Sequence, residues 1–288
     1  MTTLVFGRTG QLGRALRAHG GVVCVGRDAL DFADASAAQV EAVLDAHPMT
    51  SGVIIAAAYT DVNGAETDEP TAHRVNADMP GLIARACAAR DLPLVHISTD
   101  YVFNGKASAP VASDHPTGPL NAYGRTKLAG ERAVAEAGGG HAVLRTSWVF
   151  DAMSPNFFTT MLRLGADTHS LRVVDDQFGR PTYAPDLADA CLTALDGLVH
   201  GKPSGVYHVT NSGPVASWAD YAEAVMALSG LDATVERVGS DAFPSPARRP
   251  AFAALDTASF EHTFGATLPD WRDAVTRALA ARSQPTSP

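Results

Sequence analysis

The chain has 288 residues, 46% of them hydrophobic and 18% charged, and a formal net charge of −9 at pH 7. This composition is typical of a globular protein with room for one large or two modest domains, and the negative charge argues against a nucleic-acid partner, whose phosphates require a basic face. The sequence has no run of eighteen apolar residues, and its first residues lack the basic region and cleavage site of a signal peptide, so we expect a cytoplasmic protein with no membrane partner.

Cysteines and histidines give no indication of a metal site. The three cysteines, Cys24, Cys87 and Cys191, lie scattered in apolar runs, which suits buried thiols in a reducing compartment. The ten histidines are dispersed, and no Cys/His cluster has zinc spacing. We therefore expect no bound metal.

The first predicted strand, residues 4–6, runs directly into a glycine-rich turn and then into a predicted helix from residue 14. Strand, glycine turn and helix in this order can cradle the pyrophosphate of a dinucleotide. Spaced glycines alone also occur in many ordinary turns, but the position after the first strand favours the dinucleotide interpretation. The predicted cofactor contacts of this turn are Gly7, Thr9, Gly10, Gln11, Leu12 and Gly13.

The end of the second predicted strand bears on the choice of cofactor. Arg27 and Asp28 stand about twenty residues beyond the glycines, where the adenosine ribose of a dinucleotide lies. An acid there favours NAD, whereas an arginine accommodates the extra phosphate of NADP, and Arg8 could supply a second guanidinium. We therefore predict NADPH as the preferred cofactor, with NADH possible. Asp31 and Phe32 follow in a loop where the adenine could rest.

The third predicted strand ends in three small residues, Ala56, Ala57 and Ala58. Small side chains would allow the backbone to approach a cofactor closely, and we include these residues among the predicted cofactor contacts. A strand end that is simply tightly packed is an equally acceptable interpretation.

Polar side chains follow the fourth predicted strand, residues 94–97. Ser98, Thr99 and Asp100 stand at its carboxyl end, which is where ligands bind in open α/β sheets. Hydroxyl groups at this place could donate hydrogen bonds to a reacting carbonyl.

The next predicted helix carries a tyrosine and a lysine on one face. Asn121 is a typical helix start, so Tyr123 and Lys127 fall in the first turns, four residues apart. A free phenol has a pKa near ~10. We expect the nearby ammonium group to lower the pKa of Tyr123 and to suit it for acid–base work near neutral pH. The alternative is a chance pair on a solvated helix.

Strands and helices alternate as far as Trp148, which predicts an α/β fold with a doubly wound, parallel Rossmann sheet. We assign residues 1–148 to a dinucleotide-binding domain and residues 149–288 mainly to a smaller C-terminal α/β lobe that binds substrate. Segments of about 171–210 are expected to rejoin the first domain. Residues 283–288 are expected to be disordered.

Several motifs together indicate a family. The chain resembles the extended short-chain dehydrogenase/reductases, and more closely those that reduce nucleotide-linked 4-keto sugars. The Tyr-x-x-x-Lys signature marks the superfamily only, whereas the stretches after residue 144 are more specific to this reductase group. The resemblance is carried by Gly7-Arg8-Thr9-Gly10-Gln11-Leu12-Gly13, Ser98-Thr99-Asp100-Tyr101, Tyr123-Gly124-Arg125-Thr126-Lys127, Arg145-Thr146-Ser147-Trp148, Asp176-Gln177-Phe178-Gly179-Arg180-Pro181-Thr182 and Arg249-Pro250.

The resemblance implies roles for these residues. Thr99 and Tyr123 would hold the keto oxygen, Tyr123 would supply the proton, and Lys127 would bond the nicotinamide ribose. The implied substrate is a dTDP-linked 4-keto-6-deoxyhexose. Its implied contacts are Thr99, Asp100, Trp148, Asn156 and Arg249.

Two features depart from the family pattern. Asn63-Gly64 stands where relatives commonly have an aspartate followed by a basic or small residue, and Ala15 replaces an acid that some relatives use in a metal-bridged dimer. A monomer and a homodimer both remain open. Two other functions also remain open: an epimerase that retains its oxidised cofactor, and a non-catalytic dinucleotide-binding subunit, although the latter would not need Thr99, Tyr123 and Lys127 together.

Overall fold

The computed structural model describes residues 2–283. The first half of the chain alternates strands and helices as predicted, and the first helix begins earlier than expected, at Gln11. Its elements are β1 (Thr2–Phe6), α1 (Gln11–Arg17), β2 (Val22–Val25), α2 (Ala37–Asp45), β3 (Thr50–Ile55), α3 (Gly64–Thr67), α4 (Glu69–His73), a π-helical turn (Arg74–Asp78), α5 (Met79–Ala88), β4 (Leu94–Thr99), a 3-10 turn (Asp100–Val102), α6 (Ala122–Glu136) and β5 (His141–Thr146).

The second half has shorter strands and less regular alternation. Its elements are β6 (Val149–Phe150), α7 (Phe157–Asp167), β7 (Ser170–Val174), β8 (Phe178–Gly179), β9 (Thr182–Tyr183), α8 (Ala184–Val199), β10 (Gly205–His208), β11 (Ala216–Ser217), α9 (Trp218–Ser229), β12 (Thr234–Val238), a second 3-10 turn (Ser240–Ala242), α10 (Ala258–Phe264) and α11 (Trp271–Ser283).

The central sheet has six parallel strands in the order β10-β5-β4-β3-β1-β2. From β1 the chain passes to β2 on one side and then crosses back to β3 on the other side of β1, so the strand order reverses at β1. Such a reversal opens a crevice at the carboxyl ends of the strands, where open α/β sheets bind their ligands. The α/β class and the doubly wound parallel sheet predicted from the sequence are confirmed.

Helices cover both faces of the sheet because both faces of its strands are apolar. On one face, Val40 of α2 and Ile83 of α5 pack with Leu4 of β1. On the other face, Leu16 of α1 and Leu187 of α8 pack with Ile54 of β3. All six side chains are buried, so the sheet forms a rigid support for the loops at its carboxyl edge.

A third core lies in the second half of the chain. It contains buried aromatic side chains, among them Phe150, Phe158, Tyr221 and Trp271. Within residues 171–210, α8 and β10 pack on or join the central sheet, whereas β7 pairs with β12 in a separate two-stranded sheet. The division at residue 148 stays a prediction.

Within residues 2–283, no helix is both long and apolar enough to cross a bilayer. Ser283, the first residue of the tail predicted to be disordered, is instead the last residue of α11. The remainder of that predicted tail lies outside the described residues.

Candidate active site

A cleft of about 920 Å³ lies at the carboxyl edge of the sheet, where the strand order reverses. Most of the residues predicted to bind a cofactor or substrate line it. They are Gly7, Thr9, Gly10, Gln11, Leu12, Arg27, Asp31, Phe32, Ala56, Ala57, Ala58, Thr99, Asp100, Tyr123, Lys127 and Trp148. Gly13, Asn156 and Arg249 lie outside this lining.

The glycine turn requires glycine for two different reasons. Gly7 has φ +119°, a backbone conformation that other residues rarely adopt, and a Cβ there would lie 2.7 Å from the Ala57 nitrogen. A Cβ on Gly13 would lie 2.1 Å from the Gly7 carbonyl oxygen, so this glycine allows α1 to pack against the turn. Gly10, in contrast, faces open space in the cleft. The turn therefore exposes bare backbone to a ligand, as a pyrophosphate site requires.

The small residues after β3 are tightly packed and also line the cleft. The backbone nitrogens of Ala56 and Ala57 both donate to the Phe6 carbonyl oxygen, at 2.9 and 2.8 Å. The strand end is therefore tightly packed against β1. The same residues, with Ala58, also form part of the cleft wall.

Two arginines stand at the end of the cleft near β2. Arg8 Nη2 donates to Asp28 Oδ1 at 3.0 Å, while the Arg27 side chain is 85% exposed and its Nε lies 3.7 Å from Asp31 Oδ1. Arg27 is thus only loosely held and can reach an added anion. The neighbouring Phe32 is buried, and its ring centre lies 6.1 Å from that of Phe6.

Strand β4 and helix α6 bring the predicted catalytic residues together. Thr99 ends β4, and Asn121 caps α6 by accepting a hydrogen bond of 2.8 Å from the Gly124 nitrogen. Tyr123 follows in the first turn, and Lys127, one turn later, donates from Nζ to the Ile97 carbonyl oxygen at 2.6 Å. The lysine is thereby tied to the same strand that carries Thr99.

The expectation that Lys127 lowers the pKa of Tyr123 is wrong for the protein alone. Burial raises the pKa of Tyr123 above its ordinary value, and the group that chiefly opposes this is the Thr99 hydroxyl. Burial also lowers the pKa of Lys127 to about 8, against the pull of the Glu131 carboxylate. Since the phenol loses its proton less readily than in water, Tyr123 carries a proton at neutral pH. That is the state a proton donor needs.

Asp100 is the most unusual acid in the cleft. Only 3% of it is exposed, and its Oδ1 accepts a hydrogen bond of 3.0 Å from Thr99 Oγ1. Burial raises the pKa of Asp100 to about 7. A carboxyl group so far from its usual range is a recognised mark of functional sites.

Trp148 lines the cleft and has an uncommon backbone conformation. Its φ is +48°, in the left-handed region that costs a non-glycine residue about 1 kcal/mol or more. Its ring stacks on that of Trp218, with centres 3.7 Å apart and planes inclined by 13°. Trp218, the first residue of α9, was missed by the sequence analysis.

Asn156 is engaged within the protein rather than facing the cleft. It caps α7 by accepting from the Thr159 nitrogen at 3.0 Å, and its Nδ2 donates to Gln11 Oε1 at 3.2 Å. Asn156 therefore joins the start of α7 to the glycine turn. Contact of Asn156 with a sugar nucleotide stays a prediction.

Arg249 is held in place through a loop that is distant in sequence. Its Nη1 donates to Ser245 Oγ at 2.6 Å, and this hydroxyl donates to Asn63 Oδ1 at 2.7 Å. The guanidinium also lowers the pKa of Tyr101, although burial keeps that pKa raised, at about 12. Asn63, which departs from the family pattern, thus has a defined partner in this chain.

Asn76 was not recognised as part of the site by the sequence analysis. It lies fully buried in the π-helical turn, where its Oδ1 accepts from the Tyr59 nitrogen at 2.9 Å and its Nδ2 donates to Thr126 Oγ1 at 3.1 Å. Thr126 belongs to α6, between Tyr123 and Lys127. π-Helical turns are frequent at functional sites, and a buried asparagine inside an apolar helix was the available signal.

The sheet, the glycine turn and the Thr99–Tyr123–Lys127 set define an oxidoreductase of the extended short-chain dehydrogenase/reductase class. Comparison with known proteins narrows this class, because the family model described as "RmlD substrate binding domain" matches residues 1–284. The chain belongs to this family, that of the dTDP-4-dehydrorhamnose reductases.

Three similar proteins illustrate the relationship. The dTDP-4-dehydrorhamnose reductase of Burkholderia thailandensis is 41% identical over 292 residues, which cover 96% of this chain and 97% of the relative. A probable dTDP-4,6-dihydroxy-2-methyloxan-3-one 4-ketoreductase of Streptomyces antibioticus is also 41% identical, over 99% of this chain and 98% of the relative. The solved dTDP-4-dehydrorhamnose reductase of Bacillus anthracis, in complex with NADP, is 30% identical and superimposes with a TM-score of 0.89 over 98% of this chain and 100% of that one.

Proposed function

We propose that this protein reduces the 4-keto group of dTDP-4-dehydro-L-rhamnose to form dTDP-L-rhamnose, with NADPH as the hydride source and Tyr123 as the proton donor. The observation that carries the proposal is the joint placement of Thr99, Tyr123 and Lys127 in one cleft with the glycine turn. The names of the similar proteins support the substrate.

A nicotinamide dinucleotide fits the residues present. Bare backbone at Gly7 and Gly10 suits a pyrophosphate, the small residues after β3 leave room along the wall, and the exposed Arg27 can pair with the 2′-phosphate of NADP. The solved relative bound to NADP agrees with this assignment. When bound, the reduced nicotinamide supplies the hydride that adds to carbon 4 of the sugar.

The chain's own residues supply the proton and stabilise the developing negative charge. Tyr123 retains its proton because burial raises the pKa of its phenol, and it gives that proton to the keto oxygen as negative charge develops there. Lys127, buried and bonded to the Ile97 carbonyl, supplies a positive charge beside the reacting groups and holds the cofactor ribose. Thr99 positions the keto oxygen.

The second half of the chain would provide most of the sugar-nucleotide contacts. The Trp148 ring faces the cleft on the firm support of Trp218, and Arg249 stands beside Tyr101. A guanidinium can pair with a diphosphate through charge-assisted hydrogen bonds. We therefore propose residues 149–288 as the main substrate-binding lobe.

The same site could serve another dTDP-linked 4-keto deoxysugar. The Streptomyces antibioticus relative is named for such a substrate and is as similar as the Burkholderia reductase. No residue of the catalytic set distinguishes the two, since both reactions deliver a hydride and a proton to a keto group.

The direct test is loss of the reduced-nicotinamide absorbance when the purified protein is mixed with NADPH and dTDP-4-dehydro-L-rhamnose. We expect oxidation of one NADPH per sugar and a product with the rhamno configuration by NMR. A parallel reaction with dTDP-4-keto-6-deoxyglucose measures substrate choice. Failure to oxidise NADPH with either sugar would refute the proposal, and clear preference for the second sugar would favour the alternative substrate.

A further inference from the structure

The Thr99 hydroxyl has one proton to donate and two lone pairs to accept with. One lone pair is occupied, because the Tyr101 backbone nitrogen donates to Thr99 Oγ1 at 3.2 Å. The proton points to Asp100 Oδ1, 3.0 Å away. In this arrangement Thr99 presents a lone pair, and not a proton, to the cleft.

A hydroxyl that presents a lone pair cannot assist a keto oxygen. The arrangement reverses if Asp100 is itself protonated. The carboxylic acid then donates to Thr99 Oγ1, both lone pairs of Thr99 are occupied, and its proton becomes available to the keto oxygen.

The surroundings of Asp100 favour the protonated form. Its second oxygen, Oδ2, is buried and has no hydrogen-bond partner among residues 2–283, which is costly for an ionised carboxylate. The Thr99 hydroxyl and the backbone N–H groups of Asp100 and Tyr101 favour the ionised form, but burial outweighs them. The other groups that face the carboxyl are the phenols of Tyr101, on the same turn, and Tyr123, on α6. Arg249, from the segment between β12 and α10, acts on Tyr101 and not directly on Asp100.

We propose that Asp100 is a positioning residue that acts as a neutral acid and turns the Thr99 hydroxyl into a donor toward the keto oxygen of the substrate. This inference rests on the proposed function. It assigns Asp100 no direct contact with the reacting atoms.

The direction of the pH dependence follows from the two groups that titrate near neutrality. Asp100, with its pKa raised to about 7, carries the required proton below that pH and loses it above. Lys127, with its pKa lowered to about 8, loses its positive charge over the next unit. The pKa values of Tyr101 and Tyr123 are both raised, so neither phenol titrates in this range. Between about pH 6 and about pH 8, loss of the Asp100 proton should lower kcat/KM about tenfold, and loss of the Lys127 charge should lower it about twofold more.

The test is the ratio of kcat/KM at these two pH values for wild type and two variants. We expect a fall of about 20-fold for wild type and about twofold for Asp100→Asn, whose amide can donate to Thr99 at any pH. In Thr99→Val, kcat/KM should also fall only about twofold between these pH values, because Asp100 then has no hydroxyl to orient. Asp61→Asn, which removes a carboxylate from the nearby loop where it accepts from the Gly64 nitrogen at 2.9 Å, should keep the 20-fold fall.

Infrared difference spectra provide a measurement that does not depend on turnover. The wild type should show a protonated-carboxyl band that disappears between about pH 6 and about pH 8 and is absent from Asp100→Asn. Absence of that band in wild type would overturn the inference.

Each kinetic outcome separates the two proposals. A 20-fold fall that persists in Asp100→Asn would assign the titration to another group. A 20-fold fall that persists in Thr99→Val would mean that Asp100 acts on the substrate without Thr99. Either result overturns the inference while leaving the reductase function intact, whereas a wild type that never oxidises NADPH would refute the function itself.

Discussion

The guanidinium of Arg145 and the carboxylate of Glu131 form a buried ion pair with two parallel hydrogen bonds. Nε lies 2.9 Å from Oε1 and Nη2 lies 2.6 Å from Oε2, and the two side chains are only 5% and 4% exposed. Ser98 Oγ donates to the same carboxylate. Glu131 stands one helical turn beyond Lys127, so the pair fixes helix α6 against strands β4 and β5, which both end in the cleft.

Loss of Glu131 should destabilise the protein strongly. Glu131→Ala leaves the Arg145 charge buried without its partner, which typically costs about 3–5 kcal/mol of unfolding free energy. Urea denaturation measures the change. The matched control is Glu69→Ala, which breaks the exposed pair between Glu69 and Arg125 and should cost less than about 1 kcal/mol. Equal losses in the two variants would contradict the structural role of the buried pair.

Tyr123→Phe should lose most turnover while keeping fold and cofactor affinity. The variant lacks only the hydroxyl that donates the proton, a function that typically contributes about 10²–10⁴-fold to the rate. Steady-state kcat and fluorescence titration with NADPH measure the two properties. Tyr207→Phe is the control. The Tyr207 hydroxyl donates to the Pro203 carbonyl oxygen, outside the cleft lining, so this variant should keep the wild-type rate. Near-normal turnover of Tyr123→Phe would show that another group is the acid.

Trp148→Ala should raise KM for the sugar nucleotide and leave NADPH binding intact. The ring offers a flat apolar face to the cleft, and loss of a buried aromatic side chain costs about 1.5–3 kcal/mol, or roughly ten- to a hundredfold in affinity. Trp148→Phe keeps an aromatic face and should retain most of the affinity. Weaker NADPH binding with unchanged KM for sugar would place Trp148 on the cofactor instead.

Arg249→Ala should also raise KM for the sugar nucleotide, for an electrostatic reason. A charge-assisted hydrogen bond to a diphosphate contributes about 1.5–3 kcal/mol, which corresponds to roughly ten- to a hundredfold in KM. The adjacent Arg248 is exposed, and its carbonyl oxygen accepts from Asn121 Nδ2. Arg248→Ala is therefore a matched control and should change KM little. Equal effects of the two substitutions would indicate general charge attraction rather than a specific contact.

Arg27→Ala should shift the cofactor preference from NADPH toward NADH by about tenfold or more, because it removes a charge-assisted hydrogen bond to the 2′-phosphate. Competing initial rates with the two cofactors give the ratio. Arg17→Ala, at the end of α1 and outside the cleft lining, is the control for loss of a positive charge. An unchanged ratio in Arg27→Ala, or a wild type that prefers NADH, would refute the assignment of Arg27 to the 2′-phosphate.

Much of the fold and part of the site could be predicted because the signals are local. The glycine turn after β1 and the Asn121 cap before Tyr123 are each written in a few consecutive residues. The alternation of strands and helices follows from the periodicity of apolar side chains, which does not depend on distant contacts. The placement of Thr99 and Tyr123 in one cleft then follows from the rule that parallel strands end at one edge of the sheet.

The tertiary structure alone decided the features that depend on distant residues. Asn63 and Ser245 are 182 positions apart, yet their hydrogen bond orients Arg249, and no local pattern indicates such a contact. Burial, which is created by the whole fold, raised the pKa of Tyr123 where helical spacing from Lys127 predicted a lower one. Burial likewise made Asp100 an unusual acid, because the free energy of a charge depends on the solvent and partners that the folded chain leaves around it.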